Sequence, residues 1–122
     1  MKKIEAIIRR ERYEEVRAAL EVVGYPGMMV TEIQGHGTQM GVQIRLGKEY
    51  KVGLINKLKL EIVCADRTVP ALVRTIAEAA RTGNVGDGKI FVSPIEEAMR
   101  IRSGETGESA IEAVERIAVG VE

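Results

Sequence analysis

The period of the hydrophobic pattern changes several times along this chain, and the order of those changes restricts the fold more than any other feature. Residues 2–9, KKIEAIIR, put Ile4, Ala6 and Ile8 on one side and Lys3, Glu5 and Ile7 on the other, the two-residue repeat of a strand with one buried face. From Arg10 to Val23 the repeat becomes helical. Tyr13, Val16, Ala19, Leu20 and Val23 make one stripe, with Glu14, Glu15, Arg17 and Glu21 outside it. Gly24 stands where a helix takes a left-handed cap, and Pro26-Gly27 keeps the helix from resuming. Met28 to Gln34, β-branched at Val30, Thr31 and Ile33, predicts a second strand. Leu54 to Ala65 predicts a third, with Leu58, Leu60 and Ile62 alternating with Lys57, Lys59 and Glu61.

Thr68 is the expected N-cap of a second amphipathic helix, with Pro70 in its first turn. Val69, Leu72, Val73, Ile76 and Ala80 carry that helix to about Arg81. Lys89 to Val92 predicts a fourth strand, Ile95 to Ile101 a further short one, and Ala110 to Val119 a short terminal helix. Strand, helix, strand, strand, helix, strand is the order of two split βαβ halves. It predicts an α+β fold: an antiparallel four-stranded sheet with both helices on one face. The other face carries Ile7 and has no third layer within one chain, so self-association across it is expected.

Between the second and third strands the regular pattern stops. Gly35, Gly37 and Gly41 end the strand, and the chain stays irregular to about Val52, with Gly47 and Gly53 as further breaks. Val42, Ile44 and Leu46 alternate with Gln43 and Arg45, which allows a projecting hairpin. A connection this long in so short a chain is usually functional or mobile.

Composition narrows the class. The 122 residues fit one domain, 1–122, and 45% hydrophobic with 30% charged residues describes a globular chain. Lys plus Arg and Asp plus Glu are 18 each, so no overall field attracts nucleic acid or an anionic membrane, and any anion site is local. Aromatic residues are 3%, which argues against base stacking. The one cysteine, Cys64, lies in an apolar run and reads as a buried thiol; with no partner in the chain, a reducing compartment is expected. The start, Met-Lys-Lys, is not a secretory signal, and no apolar run approaches the roughly 18 residues of a membrane span. The expected location is the cytoplasm. His36 is the only histidine, Glu96-Glu97 reads as a solvated pair, and no Ser/His or Cys/His arrangement supports catalysis.

The chemistry gathers in residues 81–102, RTGNVGDGKIFVSPIEEAMRIR. Gly83, Gly86 and Gly88 fall between the second helix and the fourth strand, with Arg81, Lys89, Arg100 and Arg102 around them. Exposed backbone N–H groups ringed by cations are what a polyphosphate needs, although a Gly-rich turn by itself also serves any helix-to-strand junction.

Along about residues 1–111 the chain resembles the PII nitrogen signal-transduction family. The resemblance rests on MKKIEAIIR, GMMVTEIQGHG, KLKLEIV and above all ARTGNVGDGKIFVSP followed by RIRSGE. It implies a ferredoxin-like homotrimer that binds ATP or ADP in clefts between subunits and controls partner proteins through a long mobile loop, here residues 38–52. Residues 103–122 would form a C-terminal loop and short helix. The resemblance matches Gly86, Asp87, Gly88 and Lys89 to the segment that wraps the phosphates, and Arg100 and Arg102 to arginines reaching in from the neighbouring subunit. Gly27, Met28, Glu61 and Val63 match positions around adenine and ribose. Gly35, Gly37 and Thr38 match the nucleotide end of the loop. Gln39 matches the side chain that holds magnesium and 2-oxoglutarate, and Gly41 and Lys57 match its companions at the oxoacid. Tyr50 matches a tyrosine that some members carry uridylylated. The implied partner is an ammonium transporter or an enzyme or regulator of nitrogen assimilation, and the implied role is regulatory, not enzymatic.

Three departures stand out. Thr38 and Met40 occupy positions where the family usually has basic residues, and the cation missing at 38 would remove a phosphate contact of about 1–3 kcal/mol. The loop is one residue shorter than the common form. The tail after Ile111 runs further than in many members. Two alternatives follow: an adenylate sensor that ignores 2-oxoglutarate, and a slow ATPase using the same cleft.

Overall fold

A computed structural model of the chain describes residues 1–35 and 55–112, and residues 42–45 and 48–51 by their backbone. β1 (Lys2–Arg9) runs through a 3-10 turn (Arg10–Arg12) into α1 (Tyr13–Val23), followed by β2 (Met29–Gly35). A short pair, β3 (Val42–Arg45) and β4 (Lys48–Lys51), precedes β5 (Ile55–Cys64). A second 3-10 turn (Asp66–Thr68) leads into α2 (Val69–Ala80), then β6 (Gly88–Pro94) and α3 (Glu108–Ile111). β2, β5, β1 and β6 lie side by side in that order, antiparallel throughout. This is the antiparallel α+β sheet expected from the pattern, and the ferredoxin-like fold that the resemblance implies. β3 and β4 pair as the expected hairpin, with Val42 opposite Lys51.

The two-residue repeat explains the sheet's two faces. Ile4, Ala6 and Ile8 on β1 and Leu58, Leu60 and Ile62 on β5 are buried against Val16 and Leu20 of α1 and Leu72, Ile76 and Ala80 of α2. Cys64 closes one end of this core as a buried free thiol. The opposite face carries Lys3, Glu5 and Ile7 of β1 beside Val63, Glu61 and Lys59 of β5, with Phe91 and Lys89 of β6 alongside. Glu5 sits directly opposite Glu61, a repulsive pairing in isolation. Diagonal contacts of Lys3 with Glu61 at 3.4 Å and Lys59 with Glu5 at 3.5 Å offset it. Phe91 leaves 53% of its surface exposed there. Among the described residues no helix is long and apolar enough to cross a membrane.

Several expectations needed correction. Thr68 does not cap α2 with its side chain; its hydroxyl donates back to the Ala65 carbonyl at 2.9 Å, because the chain enters the helix through the 3-10 turn. Residues Arg10–Arg12 are likewise a 3-10 turn and not the first turn of α1. Ile95 to Ile101 does not form a strand. Among the described residues beyond Pro94 a single bridge forms, Met99 with Thr106. The terminal helix is described as Glu108–Ile111, and residues 113–119 of the predicted span lie outside the described residues.

Candidate functional site

Asp87 closes the glycine loop upon itself. Its Oδ2 accepts the backbone N–H groups of Thr82 and Gly83, each at 2.9 Å. Its Oδ1 accepts the Thr82 hydroxyl and, at 3.0 Å, the Arg9 Nε. Arg9 also donates through Nη2 to the Val85 carbonyl at 2.8 Å, and the Lys57 ammonium donates to the Gly86 carbonyl. Thus β1 and β5 each send one cation into a loop that lies far from both in sequence. Gly86 and Gly88 hold φ at 102° and 108°, which side chains with a Cβ rarely adopt. At Gly88 a Cβ would also stand 1.7 Å from the Ile7 carbonyl oxygen, so only glycine lets β6 start against β1.

The electrostatics follow from these contacts. The Thr82 hydroxyl first, then Arg9 and the two backbone N–H groups, hold the Asp87 carboxyl well below the usual carboxylate range, against an opposing desolvation. Lys57 is shifted the other way: burial first, and then the nearby Arg9 charge, lower its pKa, while Asp87 and Glu11 partly offset both.

Beside the loop, a cavity of about 280 Å³ is lined by Arg81, Asp87 and Lys89 with Ile76, Ala80 and Ile90. Lys89 itself is exposed. A second cavity, about 230 Å³, is lined by Pro26, Gly27, Met28, Met29, Glu61, Val63 and Ile111. Its walls are mostly apolar, as suits the faces of a flat heteroaromatic ring, with the Glu61 carboxylate at one side.

The strand register sets these two groups apart. Gly88 lies opposite Ile8 and Lys57 opposite Arg9, whereas Glu61 lies opposite Glu5 and Val63 opposite Lys3. Five residues of β1 separate Gly88 from Val63, roughly 17 Å at the strand rise. Gly35, opposite Ile55, belongs with the first group, and Gly27 and Met28, just before Met29, with the second. Arg100 is turned onto its own C-terminal segment: Nε meets Glu105 at 3.0 Å, and Nη2 meets the carbonyls of Ser109 at 3.0 Å and Glu112 at 2.9 Å. Arg102 is exposed. Along β1 the sequence-implicated residues therefore fall in two groups, one level with Ile7 to Arg9 and beyond, the other level with Lys3 to Glu5. Gly37, Thr38, Gln39 and Gly41 lie outside the described residues, as do His36 and Met40. Tyr50 is on β4 by backbone only.

Sequence reasoning passed over Arg9, Arg12 and Thr82. The signal was there in part: three arginines in the four residues 9–12 are dense for the end of a strand, and Thr82 precedes an aspartate by five residues. No local pattern says that residue 9 meets residue 87. Among the described residues no cluster of three or more His, Cys, Asp or Glu side chains is placed to hold a metal.

Comparison with known proteins gives a consistent picture. The family described as "Nitrogen regulatory protein P-II" matches residues 1–105. "Nitrogen regulatory protein P-II 2" of Methanothermobacter thermautotrophicus is 49% identical over 112 residues, 91% of this chain and 97% of that protein. "Nitrogen regulatory protein P-II" of Rhizobium meliloti is 51% identical over 112 residues, covering 91% of this chain and all of the relative (100%). The protein of the same name from Bradyrhizobium diazoefficiens reaches 52% over the same shares, 91% and 100%.

Proposed function

We propose that this chain, which belongs to the Nitrogen regulatory protein P-II family, is a cytoplasmic, non-enzymatic nitrogen sensor that binds ATP or ADP between the subunits of a homotrimer. One observation supports the reading: the implicated residues fall in two groups along one sheet, each beside its own cavity. A nucleotide long enough to need both would lie between copies. Gly86, Asp87, Gly88 and Lys89 of one copy would face the phosphates. Gly27, Met28, Glu61, Val63, Arg100 and Arg102 of the next would enclose the base and ribose and add cations. Arg100 would have to exchange its contacts with Glu105, Ser109 and Glu112 for the ligand. Gly35, Gly37, Thr38 and Gln39 would complete the phosphate side, with Gln39 toward magnesium.

Lys57 supports an oxoacid beside the phosphates. Its charge is disfavoured where it stands, and a carboxylate such as that of 2-oxoglutarate would relieve it, with Gln39 and Gly41 nearby in sequence. Within a single unit, 1–122, the loop 38–52 would then change its posture with the bound ligands and grip an ammonium transporter or a nitrogen-assimilation enzyme or regulator, with Tyr50 as a modification point. Titration calorimetry of the purified protein tests this. ATP should bind, and 2-oxoglutarate with magnesium should tighten that binding. Failure to bind ATP at hundreds of micromolar, on the order of −5 kcal/mol, would sink the reading.

A second reading is favoured by Thr38 and Met40, which stand where the family usually has basic residues, the one at 38 a phosphate contact. It is an adenylate sensor whose ATP affinity does not respond to 2-oxoglutarate. The same titration separates the two.

A further inference from the structure

Two guanidinium groups flank the junction of β1 and α1 and grip the two ends of the glycine loop. Arg9 is the last residue of β1 and Arg12 the last of the 3-10 turn. Arg9 holds the far end of the loop, at Val85 and Asp87. Arg12 holds the near end: its Nε and Nη2 both donate to the carbonyl of Ala79, at 3.0 and 2.7 Å.

Ala79 lies in the last turn of α2, where backbone carbonyls run out of partners along the helix. The Ala77 carbonyl is taken by the Arg81 N–H at 3.1 Å. That last turn contains no basic residue of its own to answer the negative end of the helix dipole. Arg12 supplies the missing charge from another element, 67 residues away in sequence. It is partly buried, with 30% of its side chain exposed, and Glu15 stands 3.7 Å from its other nitrogen. The loop departs two residues after the carbonyl that Arg12 holds. Asp87 ties residues 82, 83 and 87 together, and the attachments of this tied loop to the rest of the chain set its placement.

We propose that Arg12 is a positioning residue for the phosphate loop: it fixes where α2 ends and so where the loop 82–88 stands. Arg12 lies outside every group of residues implicated in ligand contact. The proposal rests on the nucleotide reading for its functional consequence, but not for its structural one.

The test is Arg12→Met, which keeps the apolar stem and removes the donors, beside Arg12→Lys, which keeps the charge with one donor group. Three measurements are made on the full chain: amide hydrogen exchange of residues 82–88 without ligand, ATP affinity by calorimetry, and the midpoint of thermal unfolding. In Arg12→Met the amides of Thr82 and Gly83 should exchange at least about tenfold faster, because local opening now needs no breaking of the Arg12 contact. ATP affinity should fall about fivefold, and Arg12→Lys should recover part of both. A variant that unfolds earlier but keeps the exchange of 82–88 and the ATP affinity of the parent overturns the proposal, since a purely structural arginine behaves that way. If Arg12→Met fails to fold, Arg12→Gln, with a neutral donor, takes its place and is judged by the same readouts. Should the parent protein bind no ATP, the nucleotide reading falls while the exchange rates still decide whether Arg12 holds the loop.

Discussion

Gly88 and Asp87 are neighbours with opposite duties. Gly88 lets the backbone come close. Substituting Gly88→Ala drives a Cβ to 1.7 Å from the Ile7 carbonyl at a φ of 108°, so β6 must withdraw from β1 or the loop must unwind. A destabilisation of more than about 2 kcal/mol is expected, read as a lowered denaturation midpoint; a midpoint within error of the parent would contradict the geometry. Asp87 holds the loop together through its charge. Its folded pKa is depressed below the ordinary value, so its contribution is present above that value and lost as pH falls below about 4. The amides of Thr82 and Gly83, followed by NMR from pH 6 downward, should lose protection in that acid range. In Asp87→Asn the acid step should vanish and the protection should be low throughout.

At the scale of elements, α2 couples the core to the loop. Ile76 is fully buried against the sheet, four residues before the helix ends and close to the Ala79 carbonyl that Arg12 holds. Ile76→Ala should cost about 2–5 kcal/mol in unfolding free energy. Part of that loss should appear as faster exchange at the loop as well as in the helix, since the last turn of α2 loses its packing. Exchange confined to residues 69–76 would show that the two are uncoupled. The helices and central strands were legible because Ile4, Ala6, Ile8, Leu58, Leu60 and Ile62 repeat every two residues and Leu72, Ile76 and Ala80 every four. The 3-10 turn at Arg10–Arg12 was not, because its charged residues run without a break into the helical stripe that starts at Tyr13. Ile95 to Ile101 misled for another reason. The segment alternates well enough, but the described sheet has no further strand there to pair with it.

For the whole molecule, the intersubunit reading proposed above gives a decisive prediction. Lys89→Ala and Arg100→Ala should each lower ATP affinity at least about tenfold when every subunit carries the change. Unfolded together and refolded as a mixture, the two variants should regain about a quarter of the parent's sites by random assortment, because a site then draws Lys89 from one copy and Arg100 from the next. No recovery in the mixture would mean that both residues serve the same subunit's site, and the intersubunit reading would be wrong. The open face of the sheet, with Phe91 half-exposed beside the paired charges of Lys3, Glu61, Lys59 and Glu5, is where copies would meet.

Local pattern was enough to determine the order of strands and helices, the side of each that is buried, and the place of a glycine-bearing loop between α2 and β6. Those properties depend on residues within a turn or two of one another, where periodicity and backbone freedom act directly. Folding alone decided that Arg9 closes on Asp87, that Lys57 reaches Gly86, that Arg12 holds Ala79, and that Glu61 and Val63 lie level with Glu5 and Lys3 while Gly88 lies level with Ile8. Each of these joins residues many positions apart, and a linear chain carries no record of such a distance until the register of β1 against β5 and β6 is set.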